Sequence, residues 1–344
     1  MEADGMGFRY PVIDKDLCTD CGLCEKVCAF KPVTNAGQPK AEAIRFPEYL
    51  DKSQSGGLGY ALMRKAIGEG YVVYGAAMDA DFVVRHRRVE TLEGLEPLRL
   101  SKYVQSDMDG IPGQVMADLK VGRKVLFTGT PCQCAGIGSL CTNFREHLLL
   151  ADIVCHGVPA PAVWKEYVAM RKKGNSEMTE AYFRDPSIGW HTHNESFLTG
   201  GVRQFFYDYT FLFYQHLDLR PSCLACPFAC KKRASDITMA DCWGIDKYLP
   251  EVEDDNRGFS VMFIHTLAGE AFTRAFDENS TRYSLDSEAY TQPNLEHPSM
   301  AHPKANAFEK EFLRKGIESV IKHYGQHSRR YRWSQFVAKV KRHI

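Results

Sequence analysis

The stretch GQVMADLKVGRKVLFTGTPC, Gly113 to Cys132, decides the fold class. Val115, Met116 and Leu119 are spaced as on one face of a helix, and Gly122 interrupts the pattern. Val125 to Phe127 then form a short apolar run that ends in a tight loop at Gly129 to Pro131. Helix, turn, strand and loop therefore follow one another within twenty residues. LLLADIVCHGVPAPAVWKEYVAMRKK, Leu148 to Lys173, repeats the scheme: a strand to about Cys155, a proline-containing loop, and a helix from about Ala160. Upstream, GGLGYALMRKA (56–66) reads as a glycine-rich turn opening a helix, and YVVYGAAM (71–78) as a buried strand. Helices alternating with apolar strands predict an α/β fold with a largely parallel sheet.

After Ser176 the pattern changes. AYFRD, QFFYDYTFLFY, SDITMADCWG and SVMFIHT are short, aromatic or β-branched, and read as strands of a second portion, so the whole is α+β. The expected divisions are 1–48, a small loop-rich module; 49–175, the α/β body; 176–293, the second portion; and 294–344, a linker followed by a helical tail. That tail carries nine Lys/Arg against one acid between Arg314 and Ile344. No repeat of fixed period is present.

At 344 residues, with 44% hydrophobic and 25% charged content, the chain is long enough for two packed domains with a substantial core. Lys+Arg and Asp+Glu both total 43, which gives no whole-molecule case for nucleic acid or an anionic membrane. The opening MEADGMGFRYPVID lacks the apolar core of a signal peptide, and Phe205 to Tyr214 is broken by Asp208 and too short to span a bilayer. A cytoplasmic protein is expected, with no membrane span.

The twelve cysteines are the chemical clue. In a reducing compartment clustered thiols read as metal ligands or catalytic groups, not as disulfides. Cys18, Cys21, Cys24 and Cys28 form C-x2-C-x2-C-x3-C, a run whose thiolates can wrap a [4Fe–4S] cube from one loop. Gly22 lets the backbone pass close, while Ala29 stands where a proline is usual, with Pro32 later. Cys223, Cys226 and Cys230 form a weaker C-x2-C-x3-C that needs a fourth thiolate, for which Cys28, Cys132 and Cys242 all compete. Structural zinc is the alternative for both groups.

KVLFTGTPCQCAGI, DIVCHGVPAPAVW and CLACPFACKKRASDITMADCWGID occur in order, with SGG at Ser55 to Gly57 and SKYVQSD at Ser101 to Asp107. Together they resemble the beta-subunit family of the coenzyme F420-reducing hydrogenases and dehydrogenases, from about Leu17 to Asp246. That family includes a plant chlorophyll reductase and bacterial members found beside polysaccharide genes. The resemblance implies an iron–sulfur flavoprotein oxidoreductase with FAD and one or two [4Fe–4S] clusters. Bacterial relatives often carry two ferredoxin motifs at the N-terminus, and this chain has one. Cys134 stands where relatives have an apolar residue.

Under that resemblance the flavin site draws on Ser55, Gly56 and Gly57 at a helix start, and on Thr128, Gly129, Thr130, Pro131 and Gln133 at a strand C-terminus. Lys102, Tyr103 and Gln105 supply charge and stacking. The metal ligands expected are Cys18, Cys21, Cys24, Cys28, Cys223, Cys226, Cys230 and Cys132. The partners implied are an electron donor or acceptor such as ferredoxin or a deazaflavin, and an unnamed small molecule or glycan precursor. Self-association is left open.

Three other readings accompany this one. Cys132 as nucleophile with His156 as base leaves the clustered cysteines unexplained. His191 and His193 could meet a metal from a strand face, or be scattered solvent histidines. The tail aromatics Tyr324, Tyr331, Trp333 and Phe336 among basic residues could face RNA or pack as an amphipathic helix. A non-enzymatic electron-transfer subunit and a zinc-stabilised binding module are the competing functions.

Overall fold

The computed structural model describes residues 1–30, 37–172, 177–274, 276 and 280–328. Pro32, Tyr331, Trp333, Phe336 and the basic run past Ser328 lie outside the described residues.

Two short strands, β1 (Glu2–Ala3) and β2 (Arg9–Tyr10), pair antiparallel and lead into the cysteine run with its single turn α1 (Leu23–Lys26). Every residue from Tyr10 to Cys28 is exposed. The body begins with β3 (Lys40–Arg45), α2 (Leu58–Gly68), β4 (Val72–Met78), β5 (Val84–Val89), α3 (Ile111–Lys120), β6 (Val125–Gly129), α4 (Pro131–Leu140), β7 (Leu148–Ile153) and α5 (Pro161–Arg171). There follow β8 (Met178–Tyr182), β9 (Glu195–Thr199), β10 (Val202–Phe206), α6 (Asp208–Tyr214), β11 (Ile237–Asp241), α7 (Ile245–Tyr248), β12 (Ser260–Ile264), α8 (Leu267–Arg274), β13 (Thr281–Leu285) and α9 (Ala305–Tyr324).

Eight strands form one sheet in the order β13-β3-β12-β11-β7-β6-β4-β5. The centre, β11-β7-β6-β4, is parallel, as the βαβ pattern requires; β5, β12, β3 and β13 join it antiparallel. The sheet is therefore mixed, not largely parallel. Boundaries at 48 and 175 both fall between strands of this one sheet, because Lys40–Arg45 and the strands after Ile237 pair with each other.

Side-chain alternation explains the layers. Val73, Ala77, Leu126 and Leu149 pack with Leu58, Leu62 and Phe272 of α2 and α8 on one face. Val72, Tyr74, Val125, Phe127 and Leu150 pack with Val115, Leu119 and Ile137 of α3 and α4 on the other. A separate antiparallel sheet, β10-β9-β8, lies with α5, α6 and α9 around Trp164, Phe183 and Phe308.

QFFYDYTFLFY is half strand and half helix: β10 ends at Phe206 and α6 begins at Asp208. The helix start is satisfied from β9, where the Glu195 carboxylate accepts from Tyr209 N–H at 3.0 Å and Thr210 N–H at 3.2 Å. A cap supplied from thirteen residues upstream overrides the local β-propensity of the aromatics. The stretch expected as a linker after Asn294 is instead packed: Asn294, Leu295 and Ser299 are buried, and Ser299 Oγ donates to His156 O at 2.6 Å.

Candidate functional site

A cavity of about 460 Å³ opens at the C-terminal ends of the parallel strands, where such sheets place their sites. Its wall includes Ser55, Gly57, Lys102, Tyr103, Thr128, Gly129, Thr130 and Gln133, all expected from sequence. Gly56 does not line it: a Cβ there would lie 2.2 Å from Ile44 O and 2.5 Å from Ser260 N, so glycine is required for strand packing. Pro131 is buried in the first turn of α4, and Gln105 turns away to accept from Arg220 Nη1 at 3.0 Å.

Two helix N-termini reach the wall. Gly57 enters α2 at φ +85°, a left-handed conformation that favours glycine, and Thr130 opens α4, with Gln133 Oε1 accepting from Thr130 N–H at 2.9 Å. Gln133 Nε2 donates to Ser106 Oγ at 2.9 Å, which donates to His86 Nδ1 at 2.9 Å. His86 Nε2–H donates to Thr128 O at 3.1 Å, and this acceptor fixes the tautomer. Burial and, next to it, the charge of Lys102 hold the His86 imidazole down to about 4, so it is neutral near pH 7.

Lys102 Nζ donates to the carbonyl of Leu100 at 3.2 Å and to that of Arg99. No carboxylate pairs with it among the described residues, and burial brings its amine down to about 7. Leu100 itself has φ +65°, strained for a branched side chain, and turns these carbonyls toward the amine. The far wall is aromatic: Tyr103 stacks on Phe213 at 4.9 Å, and Trp243 is stacked on Trp190 at 4.6 Å.

The same strand ends assemble a thiol set that spacing did not reveal. Cys132 follows β6 and Cys155 follows β7, and because these strands are parallel neighbours the two thiols emerge side by side. The turn carrying Cys223 and Cys226 is tied to the loop after Cys155 by Arg220 N–H to Val158 O at 2.9 Å and by the Pro159–Leu219 bridge. Burial, then the neighbouring Cys132, Cys223 and Cys226, push the Cys155 thiol well up; burial and Cys132 push Cys223 up to about 11, and Cys226 up as well. The Cys155, Cys223 and Cys226 thiols stay protonated unless cationic metal draws off their protons.

Cys155 had no role in the sequence reading. Its signal was present, since TGTPC and DIVC both put a cysteine just past an apolar strand. Cys230 Sγ is turned to the carbonyls of Lys232 at 3.2 Å and Pro227 at 3.7 Å. Cys242 is buried in the core beside Tyr290, and Cys134 points to Ala151 O at 3.6 Å. Cys18, Cys21, Cys24 and Cys28 are all exposed, with Leu23 N–H and Thr19 drawing the Cys21 thiol down. Among the described residues no three His, Cys, Asp or Glu side chains gather tightly enough to hold a single metal ion.

The two cysteine regions meet. Phe30 lies edge-on to Phe228 at 5.9 Å, and a Cβ on Gly136 of α4 would be 4.0 Å from Ala29 Cβ. His191 Nε2 pairs with Asp254 at 2.6 Å and His193 Nδ1 with Tyr214 Oη at 2.6 Å, so the two face different partners. His156 Nε2 faces His216 Nε2 at 2.7 Å rather than Cys132. Tyr324 packs edge-on to Phe308.

A mixed α/β sheet with a thiol set and a cavity at its parallel strand ends defines the class. Residues 122–285 match the family described as the C terminus of the coenzyme F420 hydrogenase/dehydrogenase beta subunit. The match runs from the loop before β6 to the end of β13 and includes Cys132, Cys155, Cys223, Cys226 and Cys230. A chain of the F420-reducing [NiFe] hydrogenase complex from Methanosarcina barkeri is similar to it, with 17% identity, a TM-score of 0.46, and coverage of 84% of this chain and 90% of that one. None of the curated proteins compared with the chain matches it. No helix among the described residues is long and apolar enough to cross a membrane.

Proposed function

We propose that this chain is an iron–sulfur flavoprotein that passes electrons between two [4Fe–4S] clusters and FAD. Cys18, Cys21, Cys24 and Cys28 would hold the outer cluster; Cys132, Cys155, Cys223 and Cys226 the inner one. The observation that carries this reading is that Cys155 belongs both to the thiol set and to the cavity wall. The donor set fits a cluster by chemistry, being four thiols on three loops with no carboxylate among them. The cavity fits a flavin through the N-terminus of α2 for a pyrophosphate and a Lys102 amine that no carboxylate pairs with among the described residues.

When bound, the clusters carry single electrons and the flavin couples them to two-electron chemistry. The chain's own residues orient and insulate. Gly57 presents its backbone N–H at the start of α2, the neutral His86–Ser106–Gln133 chain fixes the α4 start, and Lys102 offers positive charge. Tyr103, Phe213 and Trp243 exclude water from the far wall. Contact of Phe30 with Phe228 brings the outer loop against the inner one.

Anaerobically purified protein tests this: iron, inorganic sulfide and flavin are expected in stoichiometric amounts. Stoichiometric zinc without sulfide would sink the cluster assignment, and protein holding neither FAD nor FMN when supplied with excess would sink the flavin assignment. A second reading, a subunit that only feeds electrons to a partner protein, draws support from the wholly exposed Tyr10–Cys28 segment with Leu17 and Leu23 open to solvent. Reduction of a small molecule by the isolated chain decides between them.

A further inference from the structure

Arg233 is 3% exposed, behind the turn that carries Cys223 and Cys226. Its Nη1 donates to Phe228 O, two residues past Cys226, within the turn that Ala229 N–H closes on Cys226 O at 3.3 Å. Its Nε and Nη2 are buried and meet no hydrogen-bond acceptor among the described residues. Burial pushes the Asp152 carboxyl up and the Arg233 charge is near enough to draw it down, yet neither Asp152 nor Asp236 accepts a hydrogen bond from Arg233. Asp236 accepts from Arg145 at 2.8 Å, Leu150 N–H at 2.8 Å and Thr266 at 2.6 Å; Asp152 accepts from Ser235 at 2.9 Å and Thr238 at 2.5 Å.

A guanidinium does not lose its proton, so this is a permanent buried cation with two unused donors. Such a charge is costly unless an anion faces it. The one side-chain hydrogen bond of Arg233 among the described residues is to the turn that carries Cys226. Besides Asp152, the group that turns negative beside this guanidinium is the thiolate set once metal is bound.

We propose that Arg233 is the counter-charge of the inner cluster, a positioning residue whose fixed positive charge favours the reduced form and so sets the potential at which electrons move on to the cavity. The proposal rests on the assignment of Cys132, Cys155, Cys223 and Cys226 as ligands. On reduction one electron enters from a one-electron donor and the ligated set gains one negative charge; no bond forms or breaks, and Arg233 keeps its proton.

The test is an EPR-monitored redox titration of the full chain carrying both clusters, at pH 8 with dithionite. Arg233→Gln is expected to keep the wild-type iron and sulfide while the reduced-to-oxidised ratio of the inner cluster at a fixed potential falls about tenfold, 59 mV for one electron. The Cys18–Cys28 cluster, on an exposed loop to which Arg233 makes no hydrogen bond among the described residues, should shift less. Asp152→Asn removes a neighbouring negative charge and should raise the same ratio, which keeps the test alive if Arg233→Gln loses iron. An unshifted ratio in iron-replete Arg233→Gln overturns the proposal, as does an Asp152→Asn shift in the same downward sense. Loss of iron from both Arg233→Gln and Arg233→Lys does so too, by making Arg233 a purely structural group. Full iron in Cys155→Ser would instead overturn the ligand assignment itself.

Discussion

The two cysteine regions are built in opposite ways. Cys18 to Cys28 is contiguous in sequence, and no residue from Tyr10 to Cys28 is buried. Cys132, Cys155, Cys223 and Cys226 span most of a hundred residues and are brought together by two adjacent parallel strands and one turn pinned at Val158. The first region is a ligand loop without a core; the second is a by-product of the core. A metal bound at the first would organise its own loop, whereas a metal bound at the second would find most of its geometry already fixed.

The largest expected effect breaks the second region. Cys155→Ser should lose roughly half the iron and sulfide, with the flavin disturbed as well because Cys155 lines the cavity. Iron analysis and absorbance after anaerobic purification read this out, and retention of all the iron refutes the set. Cys21→Ser should lose the other half while the thermal midpoint of the body stays where it was, since no buried contact depends on that loop. A midpoint that drops as far as in Cys155→Ser would erase the contrast between the regions. Cys230→Ser sharpens it: with Sγ turned to Lys232 O, the variant should keep both clusters.

Two smaller effects probe the cavity beside the second region. Gly57→Asp adds bulk and negative charge at the start of α2, and should lower bound flavin per soluble chain while the iron content holds. Gly56→Ala, by contrast, forces a methyl against Ile44 O and should cost about 1–3 kcal/mol of stability as overpacking. Equal flavin loss at equal stability in the two would remove the distinction between wall and packing glycine.

The smallest effect is pH-dependent. Lys102 titrates near 10.4 when unfolded and is held to about 7 in the fold by burial. Between these values the unfolded chain binds more protons, so the burden of the buried charge, full below pH 7, is lifted as pH rises toward 10. Denaturant melts of metal-free wild type and Lys102→Met should therefore differ most near pH 7 and converge near pH 10. A constant gap would place the Lys102 amine in solvent.

Sequence showed the parallel centre of the sheet clearly, because glycine-punctuated helix and strand patterns at 56–78 and 113–173 are local. It showed the outer cysteine run for the same reason. What it hid depends on distance along the chain. The β3 pairing with β12 and β13, the Glu195 cap on α6 and the burial of Asn294 and Ser299 are set by partners far away in sequence. Cys155 was obscured because a lone cysteine acquires meaning only when β6 and β7 are known to be neighbours. Arg233 ends the run KKR, which carries no sign of its burial.

The exposure of Cys18, Cys21, Cys24 and Cys28 gives decay in air an order. Thiolate oxidation follows access, so oxygen and peroxide meet the outer loop first, with no layer of protein to cross. The half-buried set at the strand ends would outlast it. A sample handled briefly in air should then pass through a form that has lost its outer relay yet keeps its inner one. On the proposed two-cluster reading, such a form would leave the cavity without its one-electron supply while the fold around it stands intact.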